Sequence, residues 1–170
     1  MKEEIECSAN FILFIIAVKL KKKDMKLLTF TEGEIFKNSL ISLFFQNFEN
    51  LWNINAPLVG THHRTIMIGK TIHPIMAQSW KKIRKSQKQL KKLLPNFIIW
   101  IDPNNVMVKL IKHLPPLTIF SRKNNIHFNL NLPANTNATP NNKTNIFIFE
   151  NYLHQQKKYF NSQYSTLIEL

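Results

Sequence analysis

The chain has 170 residues, a formal net charge of +13 and a pI near 10. That length suits one compact domain with an extension, and a hydrophobic content of 44 % excludes a wholly disordered chain. Cys7 is the only cysteine, which excludes an internal disulfide framework and a cysteine-based zinc site.

Residues 1–10 read as an N-terminal tail. Its early acids, Glu3, Glu4 and Glu6, are wrong for a transit or signal peptide. Phe11–Leu20 is apolar and rich in Ile and Phe, and reads as a buried strand; Phe11–Val18 is short of the roughly 20 residues a membrane span needs. Thr31-x-x-Glu34 is a capping-box pattern, and Ile35, Phe36, Leu40, Leu43, Phe44 and Phe48 follow at helical spacing, predicting a helix from Glu32 to Phe48. Leu51–Val59 reads as a second strand. His62–Met76, with Gly69 and Pro74 inside it, reads as an extended excursion. Trp80, Ile83, Leu90 and Leu94 suggest a short basic helix closed by Pro95, and Phe97–Ile101 a third strand.

Asp102-Pro103 resembles an N-cap followed by Pro at the first helical position, with Val106, Leu110, Ile111 and Leu114 as the apolar face of a second helix. Pro115-Pro116 stops it, and Leu117–Ser121 reads as the fourth strand. Ile126–Leu132 alternates as an edge strand would, Pro133–Asn145 is a polar linker, and Ile146–Phe160 is a candidate helix. The order is strand, helix, strand, basic excursion, strand, helix, strand. An α+β, ferredoxin-like split βαβ domain (β-α-β-β-α-β) over residues 11–123 satisfies it, with a long basic loop over 60–95 and an Asn-rich C-terminal extension over 124–170.

From Asn50 to Ile101 there is no Asp or Glu, while the same window is crowded with lysine, arginine and histidine. A cationic segment without local counter-charge fits a polyanion, and nucleic acid is the natural one because each phosphate contact releases a condensed counterion. The candidate RNA-binding residues are Thr61, His62, His63, Arg64, Lys70, His73, Lys81, Lys82, Arg84, Lys85, Lys88, Lys91 and Lys92. Arg grips a phosphate with two parallel hydrogen bonds, and Lys acts as a point charge on a flexible stem. Lys, Asn, Ile and Phe have AT-rich codons, so composition also points to an AT-biased genome such as that of an organelle.

Several local sequences resemble the ribosomal protein S-ten family of the small subunit, over roughly Ile16 to Lys123. Ala17-Val18-Lys19-Leu20-Lys21, Asp24 and Leu27-Leu28 look like that family's first strand and helix entry, with Glu34-Ile35 early in its helix. Asn55–Thr61, Arg64-Thr65-Ile66-Met67, His73-Pro74 and Lys85–Leu90 are similar to degenerate forms of its loop. Asp102-Pro103, Val108, Leu110-Ile111-Lys112, Leu114-Pro115 and Leu117–Arg122 follow its second helix and last strand. The resemblance implies a structural constituent of the mitochondrial small ribosomal subunit, in its head, whose partners are small-subunit rRNA and neighbouring ribosomal proteins, in the mitochondrial matrix.

Chemistry finds little support in the sequence. No Ser lies in a nucleophile elbow, Gly69-Lys70-Thr71 lacks the upstream glycine of a phosphate loop, and His62, His63 and His73 have no nearby thiol or carboxylate to complete a metal site. The expectation is a non-enzyme with no cofactor, no metal, no small-molecule substrate and no membrane insertion. Trp100 reads as core or interface packing; Trp80 is open between packing and base stacking. The rival reading is an accessory subunit of a mitochondrial respiratory membrane complex, with Phe11–Val18 against lipid and the lysines facing anionic headgroups.

Overall fold

The structure, a computed structural model, describes residues 1–22, 28–109 and 116–128. Among these it is α+β, with four α-helices and a five-stranded antiparallel sheet. The helices are α1 (Lys2–Lys22), α2 (Phe30–Phe48), α3 (Pro74–Lys81) and α4 (Gln87–Leu93); the strands are β1 (Thr65–Ile68), β2 (Phe97–Asp102), β3 (Asn105–Lys109), β4 (Leu117–Ser121) and β5 (Ile126–His127). The strands lie side by side in chain order, and α1 packs against both α2 and the middle of the sheet. This differs from the expected β-α-β-β-α-β order, because both long helices precede every strand.

The supposed first strand lies inside α1, and so does the supposed tail. Ile5, Ala9, Ile12, Ile16 and Leu20 recur at helical spacing and are all buried, as are Phe11, Leu13, Phe14 and Ala17 between them. A helix enclosed between another helix and a sheet is apolar nearly all round, and an apolar run of that kind has no period to separate it from a buried strand. Glu3 and Glu4 occupy the first turn, where the helix dipole favours negative charge. The capping box of α2 is Thr29 with Glu32, two residues before the predicted pair: the Glu32 amide donates to Thr29 Oγ1 at 3.2 Å and the Thr29 amide to Glu32 Oε2 at 2.8 Å. Phe36, Leu40, Phe44 and Phe48 then form the buried stripe of α2.

The second predicted strand is absent: Glu49–Leu51 is a 3₁₀ turn, and 52–60 is a loop of bends and turns. The excursion is shorter than expected, since it contains β1 and α3. The predicted basic helix is two helices, α3 and α4, separated where Arg84 adopts a positive φ of 55°. Trp80 is fully buried there. It meets Phe36 edge to face at 5.3 Å and donates its indole N–H to the Ser86 carbonyl at 3.0 Å, so base stacking by Trp80 is ruled out.

Asp102-Pro103 opens a hairpin, not a helix. Asp102 pairs with Asn105, so Pro103 and Asn104 form the turn. Pro followed by a residue with positive φ (Asn104, 64°) is type II turn chemistry, and Val106 and Val108 then alternate inward with period two. The remainder of the predicted helix face, Leu110, Ile111 and Leu114, lies outside the described residues, as do 129–170 with their linker and candidate helix. The strands expected at Phe97–Ile101 and Leu117–Ser121 are β2 and β4, and β5 stands within the expected edge strand. No helix among the described residues is long and apolar enough to cross a membrane.

Candidate functional site

Arg64 is fully buried. Its Nε donates to the Ile101 carbonyl (3.2 Å), Nη1 to those of Leu51 (2.6 Å) and Val59 (3.0 Å), and Nη2 to that of Pro57 (2.6 Å) and to Asp102 Oδ1 (2.8 Å). Its guanidinium also sits 5.7 Å from the Trp52 ring centre. One side chain therefore ties the 51–60 loop to the end of β2, supplying acceptors with the donors that a loop cannot find in itself. Gly60 makes room: its φ is 78°, and a β-carbon there would stand 3.2 Å from Arg64 Nη1. The Thr61 hydroxyl lies 2.9 Å from both Asp102 Oδ1 and the Leu58 carbonyl.

So fastened, the loop turns apolar side chains outward. Ile54, Leu58 and Val59 are 63 %, 76 % and 67 % exposed. Thr65 bonds back to the Thr61 carbonyl (2.8 Å) and pairs across the sheet with Trp100, which pairs in turn with Met107. Met67 pairs with Ile98. Opposed residues of an antiparallel sheet share a face, so Met67, Ile98, Trp100 and Met107 form one apolar strip on the side away from α1. Met67 is exposed; the other three are half-buried. Asp102 has the same parity as Trp100, and there the loop caps the face. The result is a sheet face and a fixed loop with exposed apolar side chains. Sequence reasoning missed the strip because Phe97–Ile101 is apolar throughout, which hides the alternation of β2.

The predicted RNA-binding residues do not form one finger. Arg64 faces the interior and cannot touch phosphate; its need is the loop's carbonyls. His73 is half-buried as the N-cap of α3, with Nδ1 accepting from the Ile75 amide at 3.4 Å, and burial holds its pKa below the ordinary value. Lys85 is ion-paired with Glu32 from α2. Burial pushes the Glu32 carboxyl up, but hydrogen bonds from Lys85 and Thr29 and the charge of Lys85 outweigh it and hold the carboxyl below its usual range. Counter-charges absent from the window thus arrive from outside it, at Glu32 and Asp102. His62 and His63 are exposed with their rings 3.8 Å apart, and Lys70 is exposed on the bend after β1. Lys81, Lys82, Arg84, Lys88 and Lys92 are exposed on α3, α4 and their link, with Lys91 half-buried beside them. Among the described residues no three His, Cys, Asp or Glu side chains are grouped to hold a metal.

The geometry is that of a small α+β module whose accessible feature is a rigid apolar face with a stapled loop. The chain belongs to the BTG family, whose family model matches residues 1–120. It is 27 % identical over 108 residues to protein BTG1 of Homo sapiens, a match covering 63 % of this chain and 60 % of BTG1. It is 26 % identical over 126 residues to protein Tob1 of Homo sapiens, covering 74 % of this chain and 34 % of Tob1. The match therefore spans about 60 % of the length of the BTG1 relatives. The BTG/Tob domain of C. elegans FOG-3 superposes with a TM-score of 0.60 over 71 % of this chain and 90 % of that chain, at 23 % identity, a likeness of fold.

Family membership overturns the ribosomal reading. The chain is not an S-ten protein, and small-subunit rRNA and head proteins are not its partners; the respiratory-complex alternative falls with it. The S-ten likeness rested on short apolar-basic strings placed on a β-α-β-β-α-β frame. Those strings sit on different elements here: Ala17–Leu20 is helical, and Asp102-Pro103 begins a hairpin turn.

Proposed function

We propose that this chain is a non-catalytic adaptor of the BTG/Tob antiproliferative type, which docks a partner protein on its Trp100 face and acts in the control of transcription and mRNA deadenylation. The carrying observation is the apolar strip of Met67, Ile98, Trp100 and Met107, continued toward the loop that Arg64 fixes. Aromatic and Met side chains are enriched at the cores of protein interfaces, and a prefixed loop lowers the entropy cost of binding. Family membership supports the regulatory setting.

The test is to tether the full chain to a reporter mRNA through a fused RNA-binding peptide and to measure the poly(A) tail. The tail shortens with the wild type. Trp100→Ala, with an unchanged far-UV circular dichroism spectrum, abolishes the shortening. A tail that keeps its length under the bound wild-type chain overturns the deadenylation reading.

A further inference from the structure

The outer surface of α3, α4 and their link carries charge that the docking face does not use. Lys81, Lys82, Arg84 and Lys88 are exposed, and none of them has an ion-pair partner among the described residues. The apolar side chains of the same stretch, Ile75, Met76, Trp80, Ile83, Leu90 and Leu93, are all buried against the rest of the domain. Glu32, an acid that reaches this hairpin from α2, is already matched by Lys85.

We infer that this hairpin is a second site, separate from the Trp100 face, that binds the phosphate backbone of single-stranded RNA. Three observations narrow the occupant. No apolar side chain of the hairpin is among the exposed large hydrophobics, so nothing there would enter a bilayer as an interfacial helix does. No aromatic ring is exposed on it, so contact is through phosphates and reads no base. Arg84 holds a positive φ of 55°, a conformation that suits glycine or asparagine; among the described residues the other non-glycine positions with positive φ, Asn104 and Asn125, are asparagines in hairpin turns. A long cation at the strained apex, flanked by Lys81, Lys82 and Lys88, presents a forked donor among point charges, which suits a flexible polyphosphate. The choice of a single-stranded mRNA tail over other polyanions rests on the proposed function; the charge pattern does not.

The experiment is fluorescence anisotropy of a labelled oligoadenylate titrated with the full chain across a range of KCl concentrations. The comparison protein carries Lys81→Ala, Lys82→Ala, Arg84→Gly and Lys88→Ala together, all at exposed positions. With four phosphate contacts on a single strand, the logarithmic salt slope falls by about 3, and affinity at physiological salt falls on the order of 100-fold. Trp100→Ala binds RNA as the wild type does. The fourfold variant, when tethered, still shortens the tail, so failure of this site and failure of the docking face are told apart. The inference is overturned by RNA affinity that survives the four substitutions. It is equally overturned by wild-type binding to phosphatidylserine vesicles or polyglutamate that matches or exceeds binding to the oligoadenylate.

Discussion

The Arg64 guanidinium meets Asp102 at 2.8 Å, across 38 residues of sequence, with both side chains sealed from water. Removing one member of such a pair strands a buried charge, at a cost of about 3–5 kcal/mol. The two removals are not equivalent. Asp102→Ala leaves Arg64 with its four carbonyl partners, whereas Arg64→Ala orphans those carbonyls and the carboxylate together. Arg64→Ala is therefore the more damaging in urea unfolding, and Arg64→Lys rescues little because an ammonium cannot span the fork. Equal midpoints for Arg64→Ala and Asp102→Ala would contradict the stapling role.

Neither role was legible in the chain alone. Arg64 stood in a row of cations, and nothing in residues 50–101 offered it an acid; the partner lay one residue beyond that window. Elements with a clear period were readable: α2 from its Phe36–Leu40–Phe44–Phe48 stripe, and β2 and β4 from short β-rich runs. Those without one were not. α1 is apolar on nearly every side because it is enclosed between α2 and the sheet. Asp-Pro serves a helix start and a turn alike, and the decision fell to Asn104, whose positive φ and backbone N–H, donating to Glu4 Oε1 at 3.0 Å, lock the hairpin to α1. The outward apolar strip was hidden for the same reason as α1: a continuous apolar run conceals which side faces out.

Trp80 fills the junction of α2 with α3. Trp80→Ala is expected to cost about 3–5 kcal/mol, in the range for a fully buried aromatic. Trp80→Phe keeps an aromatic ring in the core but gives up the bond to the Ser86 carbonyl and part of the buried ring, so its cost should be clearly smaller than that of Trp80→Ala. Paired urea titrations measure both. A Trp80→Ala protein as stable as the wild type would remove Trp80 from the core.

His73 makes stability depend on pH near neutrality. Burial lowers its pKa from the ordinary 6.5, and its Nδ1 must stay unprotonated to accept from the Ile75 amide. A depressed folded-state pKa contributes stability that is full above the unfolded value and is lost as pH falls through the folded one. His73→Asn keeps a capping oxygen and removes the titration. The difference in stability between wild type and variant should shift in favour of His73→Asn as pH drops from about 8 to about 5. Parallel melting curves across that range would refute the assignment.

Cys7 is buried within α1, with its thiol directed to the Ile119 carbonyl at 3.5 Å. Burial, first of all, pushes the thiol up to about 12, so no thiolate is available near neutral pH. Iodoacetamide should leave the folded protein unlabelled and modify it fully in concentrated urea, as read by intact mass. Rapid labelling without denaturant would show that α1 opens from the sheet.

Adjacent residues of β2 separate packing from function. Ile99 points at α1 and is fully buried; Trp100 points away from it and is half-buried. Ile99→Ala removes core volume and should cost about 2–5 kcal/mol. Trp100→Ala removes a side chain that gives up only part of its surface to the domain, so its stability loss should be clearly smaller. Under the proposed function, the docked partner protein sees the reverse. Trp100→Ala and Met67→Ala weaken capture by a deadenylase subunit, while Ile99→Val, which trims one methylene, leaves it intact. Isothermal titration with the three variants orders the effects. Capture that tracks thermal stability, not the side of the strand, would mean that the sheet face is only the outer wall of the core.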